Sequence, residues 1–221
     1  MQKKYQFPVI ASDIVIFTVD KGILKTLLIQ MKKQPFESFW AAPGGLVKVN
    51  ESVDQAAARI LSEKTGLEKV YLEQLYTFGE IDRDPFGRVV SVAYFALISK
   101  EGLSLKTTSE YKDVSWFDAK KLPKLAYDHQ EIIAKAVACL KNKLEHSNII
   151  YSLLPKEFTL SELQKIYEII LSKKFDKRNF RKKILSLHML KKLSKKQTGQ
   201  ANRPAMLYSF VHTSPQQVKV I

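Results

Sequence analysis

Residues 43–66 read PGGLVKVNESVDQAAARILSEKTG, and this stretch narrows the fold more than any other. Pro-Gly-Gly breaks an extended run. Ser52 then stands where a helix N-cap belongs, with Gln55 three residues on, as in a capping box. Val53, Ala56, Ala57, Ile60 and Leu61 recur at helical spacing, and Gly66 suits the left-handed C-cap. A helix over Ser52–Thr65 is therefore specified at both ends. It is flanked by β-rich runs: DIVIFTV and ILKTLLIQM around the turn Asp20-Lys21-Gly22, then VYLEQLYTFG and VVSVAYFALIS around the polar loop EIDRDPFGR. A further strand is expected at DVSWFDA, and a long helix from Tyr127 to about His146 carrying Ile132, Ile133, Ala136, Val137 and Leu140. The first part of the chain is thus an α/β unit.

Charge divides the chain. Residues 1–146 hold 21 Lys and Arg against 18 Asp and Glu, whereas residues 147–221 hold 15 against 4, so most of the net +14 lies in the last third. We place a domain boundary there, giving units 1–146 and 147–221. A basic unit beside a nearly neutral one points to a polyanionic partner. The second unit reads as helix, helix, β-hairpin. Thr159 and Glu162 form another capping box, Asp176 caps a second helix, and Phe180, Ile184 and Leu187 face inward. LKKLSKK, the turn QTGQANRP and the alternating AMLYSF complete it. The single cysteine, Cys139, excludes an internal disulfide. With no apolar leader and no unbroken apolar span, a soluble cytoplasmic protein is expected.

The stretch from Gly45 resembles the Nudix box. Gly45, Glu51, Arg59, Leu61, Glu63, Gly66 and Leu67 match it in register, while Ile60 and Lys64 stand where it has glutamates. The resemblance implies a Nudix-like α/β/α sandwich. In working relatives, positions 60, 63 and 64 share a helix face whose carboxylates hold Mg²⁺ for diphosphate cleavage. An isoleucine and a lysine remove two of the three acids, so Gly45, Glu51, Arg59 and Glu63 are read as a vestigial box, and neither cofactor nor metal is expected. The segment FGEIDRDPFGRVVSVAY resembles the one beside the ligand pocket of ADP-ribose-type Nudix proteins. Arg83 and Arg88 are candidates for phosphate or ribose oxygens, Asp82 and Asp84 for sugar hydroxyls, and Phe86 or Trp40 for an aromatic surface.

The second unit resembles the winged helix-turn-helix of Nudix-related transcriptional regulators, carried by FTLSELQKIYE, DKRNFRKKIL and NRPAMLYSF. On the helix after Asp176, Lys177, Arg178, Arg181 and Lys182 fall outward. Arg178, Asn179 and Arg181 are candidate base contacts, because Arg and Asn can read guanine and adenine edges. Thr159, Ser161 and Lys182 are candidate phosphate contacts, and Lys195, Lys196 and Arg203 would form the wing. The resemblance implies a homodimer on double-stranded operator DNA. Its effector would be ADP-ribose or a related NAD metabolite, with a pentose such as arabinose as the alternative, and NAD biosynthesis would be the regulated process. The rival from another class is a Mg²⁺-dependent hydrolase of ADP-ribose or nucleoside diphosphates.

Overall fold

The computed structural model describes residues 7–66, 70–99, 111–197 and 204–220. Two strands, β1 (Val9–Asp20) and β2 (Ile23–Gln30), form the expected hairpin. Lys21 and Gly22 take positive φ at its turn, where glycine meets no steric penalty. β3 (Trp40–Ala41), β4 (Gly44–Leu46), β5 (Tyr71–Phe78), β6 (Val89–Leu97) and β7 (Asp113–Asp118) complete a seven-stranded sheet. Its main path runs β3-β2-β1-β6-β5, with β4 on β1 and β7 on β2. β1 and β6 are parallel, Val9–Phe17 against Val89–Leu97.

The helix α1 (Val53–Thr65) has the capping box expected of Ser52 and Gln55, and Gly66 closes it at φ 69°. Its Ala57, Ile60 and Leu61 pack in one apolar cluster with Ile14, Ile16 and Leu27. Strand side chains alternate between faces, so Asp13, Val15 and Phe17 point to the opposite side of β1. There Asp13 meets His129, the first residue of α2 (His129–His146). The two helices therefore lie on opposite faces of the sheet, an α/β/α sandwich. On α2, Ile132, Ile133, Ala136 and Leu140 of the expected stripe are buried, Val137 is half-buried, and Leu144 is buried as well.

The chain divides into two compact units within α2, between Ala138 and Cys139, with Val19–Leu24 assigned to the second. Beyond α2 a short 3₁₀ turn (Ile149–Leu153) leads to β8 (Phe158–Thr159), α3 (Leu160–Leu171), α4 (Lys177–Ser186), β9 (Leu190–Gln197) and β10 (Ala205–Phe210). The strands form a sheet in the order β8-β10-β9. Thr159 and Glu162 make the capping box and Asp176 caps α4, both as expected. Phe158, Leu163, Tyr167, Ile170, Phe180 and Ile184 are buried, with Tyr167 and Phe180 edge to face at 5.7 Å. Leu187 is only half-buried. Helix, turn, helix and hairpin together make a winged helix-turn-helix. No helix among the described residues is long and apolar enough to cross a membrane.

Two fasteners hold this unit, one long-range and one local. Asn148 is buried, donates to the Ser214 carbonyl and accepts from the Gln216 amide, tying the C-terminal tail to the end of α2. Glu168 holds the turn between α3 and α4. Its carboxylate accepts from the Phe175 amide at 3.0 Å, from Gln164 at 3.0 Å and from Lys174 at 2.9 Å. The Phe175 amide, then Lys174 and Gln164, hold its pKa at about 2 rather than 4.5. A depressed carboxylate stabilises the fold above its ordinary pKa, and that contribution is lost as pH falls from 4.5 through 2. Glu168→Ala should cost about 1–2 kcal/mol at neutral pH by urea unfolding, and the difference from the parent protein should vanish towards pH 2.

Candidate effector pocket and nucleic-acid interface

A cavity of about 260 Å³ opens beside β4. Its wall includes Asp13 and Ala42, Gly44 and Gly45, Arg83 and Asp84, and Tyr111, Tyr127 and His129. β1 supplies Asp13, the Pro-Gly-Gly turn brings the glycines, the β5–β6 loop brings Arg83 and Asp84, and the start of α2 brings Tyr127 and His129.

Arg83 is the hub. It donates from Nε and Nη2 to the two oxygens of Asp128, at 2.8 and 2.7 Å, and from Nη2 to Asp13 Oδ2 at 3.3 Å. Its side chain is 3% exposed. Burial alone would lower its pKa; Asp128 and Asp13 outweigh this and raise it. Ser91 donates to the same Asp13 oxygen at 2.6 Å. His129 Nδ1 accepts the Ala42 amide proton at 2.9 Å, so the neutral ring carries its proton on Nε2. Burial also lowers the His129 pKa, against the pull of Asp13. Tyr127 packs between Phe36 and His129, and burial pushes its phenol up to about 12.

Of the expected effector residues, the structure brings Arg83 and Asp84 to the cavity. Arg83, a candidate for phosphate or ribose oxygens, is bound by two carboxylates, those of Asp128 and Asp13. Asp84 Oδ1 accepts the Phe86 amide at 2.8 Å, an Asx turn. Asp82 is exposed and outside the lining, and Arg88 reaches the Glu80 carbonyl at 3.0 Å. Phe86 is exposed, and Trp40 stacks edge-on against Phe117. Sequence reasoning missed Asp13, Asp128 and His129. A carboxylate at the head of the apolar run IVIF was the available signal for Asp13.

The vestigial box keeps its architecture. Arg59 donates to both oxygens of Glu51 at 2.9 and 2.6 Å, and approaches Glu63 at 3.4 Å. Arg59 holds Glu51 at a pKa of about 2. Arg59 also reaches the Leu46 carbonyl at 3.2 Å, pinning the loop to the helix. Ile60 is 1% exposed in the core cluster, and Lys64 is buried with its Nζ 4.2 Å from the Tyr111 ring centre. The two glutamates of the box, Glu51 and Glu63, are thus approached by an arginine, and an apolar side chain and a cation take the other two places. Among the described residues no group of three or more His, Cys, Asp or Glu is placed to hold a metal. The donor set does not suit the Mg²⁺ that the fold implies.

In the second unit Lys177, Arg178, Asn179 and Lys182 are exposed along α4. Arg181 is half-buried and donates to Ser161 Oγ at 3.3 Å, joining α4 to the start of α3. Thr159, expected at a phosphate, is buried, and its hydroxyl serves its own capping box. Asp176 rather than Asn179 caps α4 and leaves the Asn179 side chain exposed. Lys195 pairs with Glu157 at 3.1 Å. Arg203 lies outside the described residues, as does most of the expected wing turn.

The family model described as NUDIX domain matches residues 8–136, and that described as NrtR DNA-binding winged helix domain matches residues 150–210. The chain belongs to the Nudix family, with an NrtR-type winged helix. This Nudix protein is 40% identical over 210 residues to the ADPR responsive transcriptional repressor NtrR of Acinetobacter baylyi, covering 93% of this chain and 83% of that one. It is 37% identical over 134 residues to the ADP-ribose pyrophosphatase of Methanocaldococcus jannaschii, covering 59% and 76%. Shewanella oneidensis NrtR complexed with a 27mer DNA superposes with a TM-score of 0.81 at 34% identity, covering 91% of this chain and 93% of that one. The NUDIX domain of the same protein with ADP ribose superposes at 0.55 and 35% identity, covering 62% and 90%.

Gly44 links turn to cavity. A Cβ there would lie 2.1 Å from Asp13 Oδ1, so only glycine lets β4 pair with β1 over this carboxylate. Gly44→Ala should cost about 1–3 kcal/mol in urea unfolding, whereas Gly45→Ala, whose nearest neighbour would be Ile60 Cδ1 at 3.6 Å, should cost less.

Proposed function

We propose that the chain is a cytoplasmic transcriptional repressor. Its unit 147–221 holds operator DNA, and its unit 1–146 binds ADP-ribose without cleaving it. The observation that supports this reading furthest is the joint match. One relative described as an ADPR responsive repressor covers nearly the whole chain, both units included.

Arg178, Asn179, Lys177 and Lys182, exposed on α4, are the groups that meet DNA, Arg and Asn at base edges and the lysines at phosphates. Arg181, tied to Ser161 at the start of α3, presents its guanidinium beside a helix N-terminus, an arrangement suited to a backbone phosphate. The effector enters the cavity around Asp84 and Arg83. Ligand that prefers one of two states of the protein shifts operator affinity by that preference. By its likeness to the repressors, the chain acts as a homodimer on a dyad operator controlling NAD biosynthesis.

Diphosphate cleavage needs a dication to neutralise charge in the transition state. Glu51 and Glu63 are occupied by Arg59, and positions 60 and 64 supply no carboxylate. Hydrolysis is therefore absent, and the remaining box holds the loop-helix geometry.

Fluorescence anisotropy of a labelled promoter duplex tests the reading. The protein should bind it with a steep salt dependence through released counterions. ADP-ribose should release it, and arabinose should leave it bound. Release by arabinose and not by ADP-ribose would transfer the effector role to a pentose. Arg178→Ala should weaken duplex binding by about 1–3 kcal/mol; unchanged affinity would remove Arg178 from the reading surface.

A further inference from the structure

The segment after β10 returns to the point where α2 ends. Its amides at alternate positions all donate one way, as along the edge of a strand. Gln216 donates to Asn148 Oδ1 at 2.7 Å, Val218 to the His146 carbonyl at 2.9 Å and Val220 to the Glu145 carbonyl at 2.8 Å. Asn148 answers with its own amide to the Gln216 carbonyl at 3.2 Å and with Nδ2 to the Ser214 carbonyl at 3.1 Å. Ser147 and Gln217 face each other in an antiparallel bridge. Residues 214–220 thus form a strap across residues 145–148.

Two features set this strap apart from ordinary packing. The last carbonyls of a helix have no partner within it, and the strap satisfies those of Glu145 and His146. Asn148 stands at the N-cap of the 3₁₀ turn, where an asparagine side chain ordinarily bonds its own helix. It makes no such bond. Buried at 1% exposure, it turns both polar ends of its side chain to the strap. The strap itself is lightly held, since of residues 214–220 only Val220 is buried. A segment with few buried apolar contacts opens at low free energy, so it can detach while the core around Phe158, Leu163, Tyr167 and Phe180 stays packed.

One helix is common to both units. The first residue of α2, His129, lines the cavity, and from Cys139 onward the helix groups with the second unit. A change at one end of a helix is passed on from the other only if that other end is fixed. The strap fixes it, fastening the chain that leaves the winged unit to the chain that enters it.

We infer that residues 214–220 are a coupling strap: by holding the last turn of α2 to the winged unit, they carry the effect of ligand at the cavity to the DNA-binding surface. Asn148 is the positioning residue of the strap. The inference rests on the effector reading above and adds the element that links ligand to DNA.

Anisotropy of a labelled promoter duplex, with and without saturating ADP-ribose, tests this on the full chain and on its Asn148→Ala and Val218→Pro variants. In the unaltered protein ADP-ribose should weaken duplex binding by about 5–150-fold. Both variants should bind the duplex, and ADP-ribose by titration calorimetry, within about threefold of the unaltered protein, while ADP-ribose weakens their hold on the duplex by less than about threefold. Gln217→Ala, which leaves the backbone bridge in place, should behave as the unaltered protein. Undiminished release from both variants overturns the strap. So does a loss of duplex or ADP-ribose affinity beyond about tenfold, which would make it a structural fastener only. If ADP-ribose does not weaken duplex binding by the unaltered protein, the effector reading itself fails and the strap with it.

Discussion

The two-pronged ion pair between Arg83 and Asp128, shared with Asp13, is the interaction on which the first unit's site depends. It joins three segments distant in sequence: β1, the β5–β6 loop and the start of α2. Removing one member of such a buried group leaves an uncompensated charge, at a cost of about 3–5 kcal/mol. The network therefore holds the cavity in shape before any ligand arrives.

The same economy of charge appears in the box on α1. Arg59 grips Glu51 with two hydrogen bonds, leans on Glu63 and ties down the Leu46 carbonyl. These contacts fix the loop before the helix whether or not a metal is bound. Positions 60 and 64, where the Nudix box has glutamates, serve packing here. Ile60 fills the cluster between α1 and the sheet, and Lys64 lies buried over Tyr111. A scaffold held by an arginine and glycines can lose its catalytic acids and still present a pocket. That separation between architecture and reaction is what allows a hydrolase fold to serve as a sensor beside a winged helix.

Much of this was legible in the sequence because it is local. The caps at Ser52, Thr159 and Asp176 lie within four residues of what they bind, and so they read directly. Helical spacing likewise foretold most of the buried side chains of α1 and α2, with Val53 and Val137 only half-buried. The missed residues are the ones whose partners are far away. Asp13 finds Ser91 and His129 across the sheet. Asn148 finds Ser214 and Gln216 at the other end of the winged unit. No spacing rule links such pairs. For Arg83, arginine chemistry suggested phosphate or ribose oxygens, and the fold adds that it is held by the carboxylates of Asp13 and Asp128. The outward face of α4 was correctly separated from its core face, although Arg181 turned out to bridge to Ser161.

Binding of ADP-ribose without cleavage is the reading proposed for the first unit. It is tested most directly by incubating the purified protein with ADP-ribose and excess Mg²⁺ and following the phosphorus resonances over hours. ADP-ribose should be recovered intact, with no AMP and no ribose 5-phosphate accumulating above a protein-free control. Steady release of AMP at a rate that rises with protein concentration, and that Glu63→Gln abolishes, would contradict it and return the chain to the hydrolases.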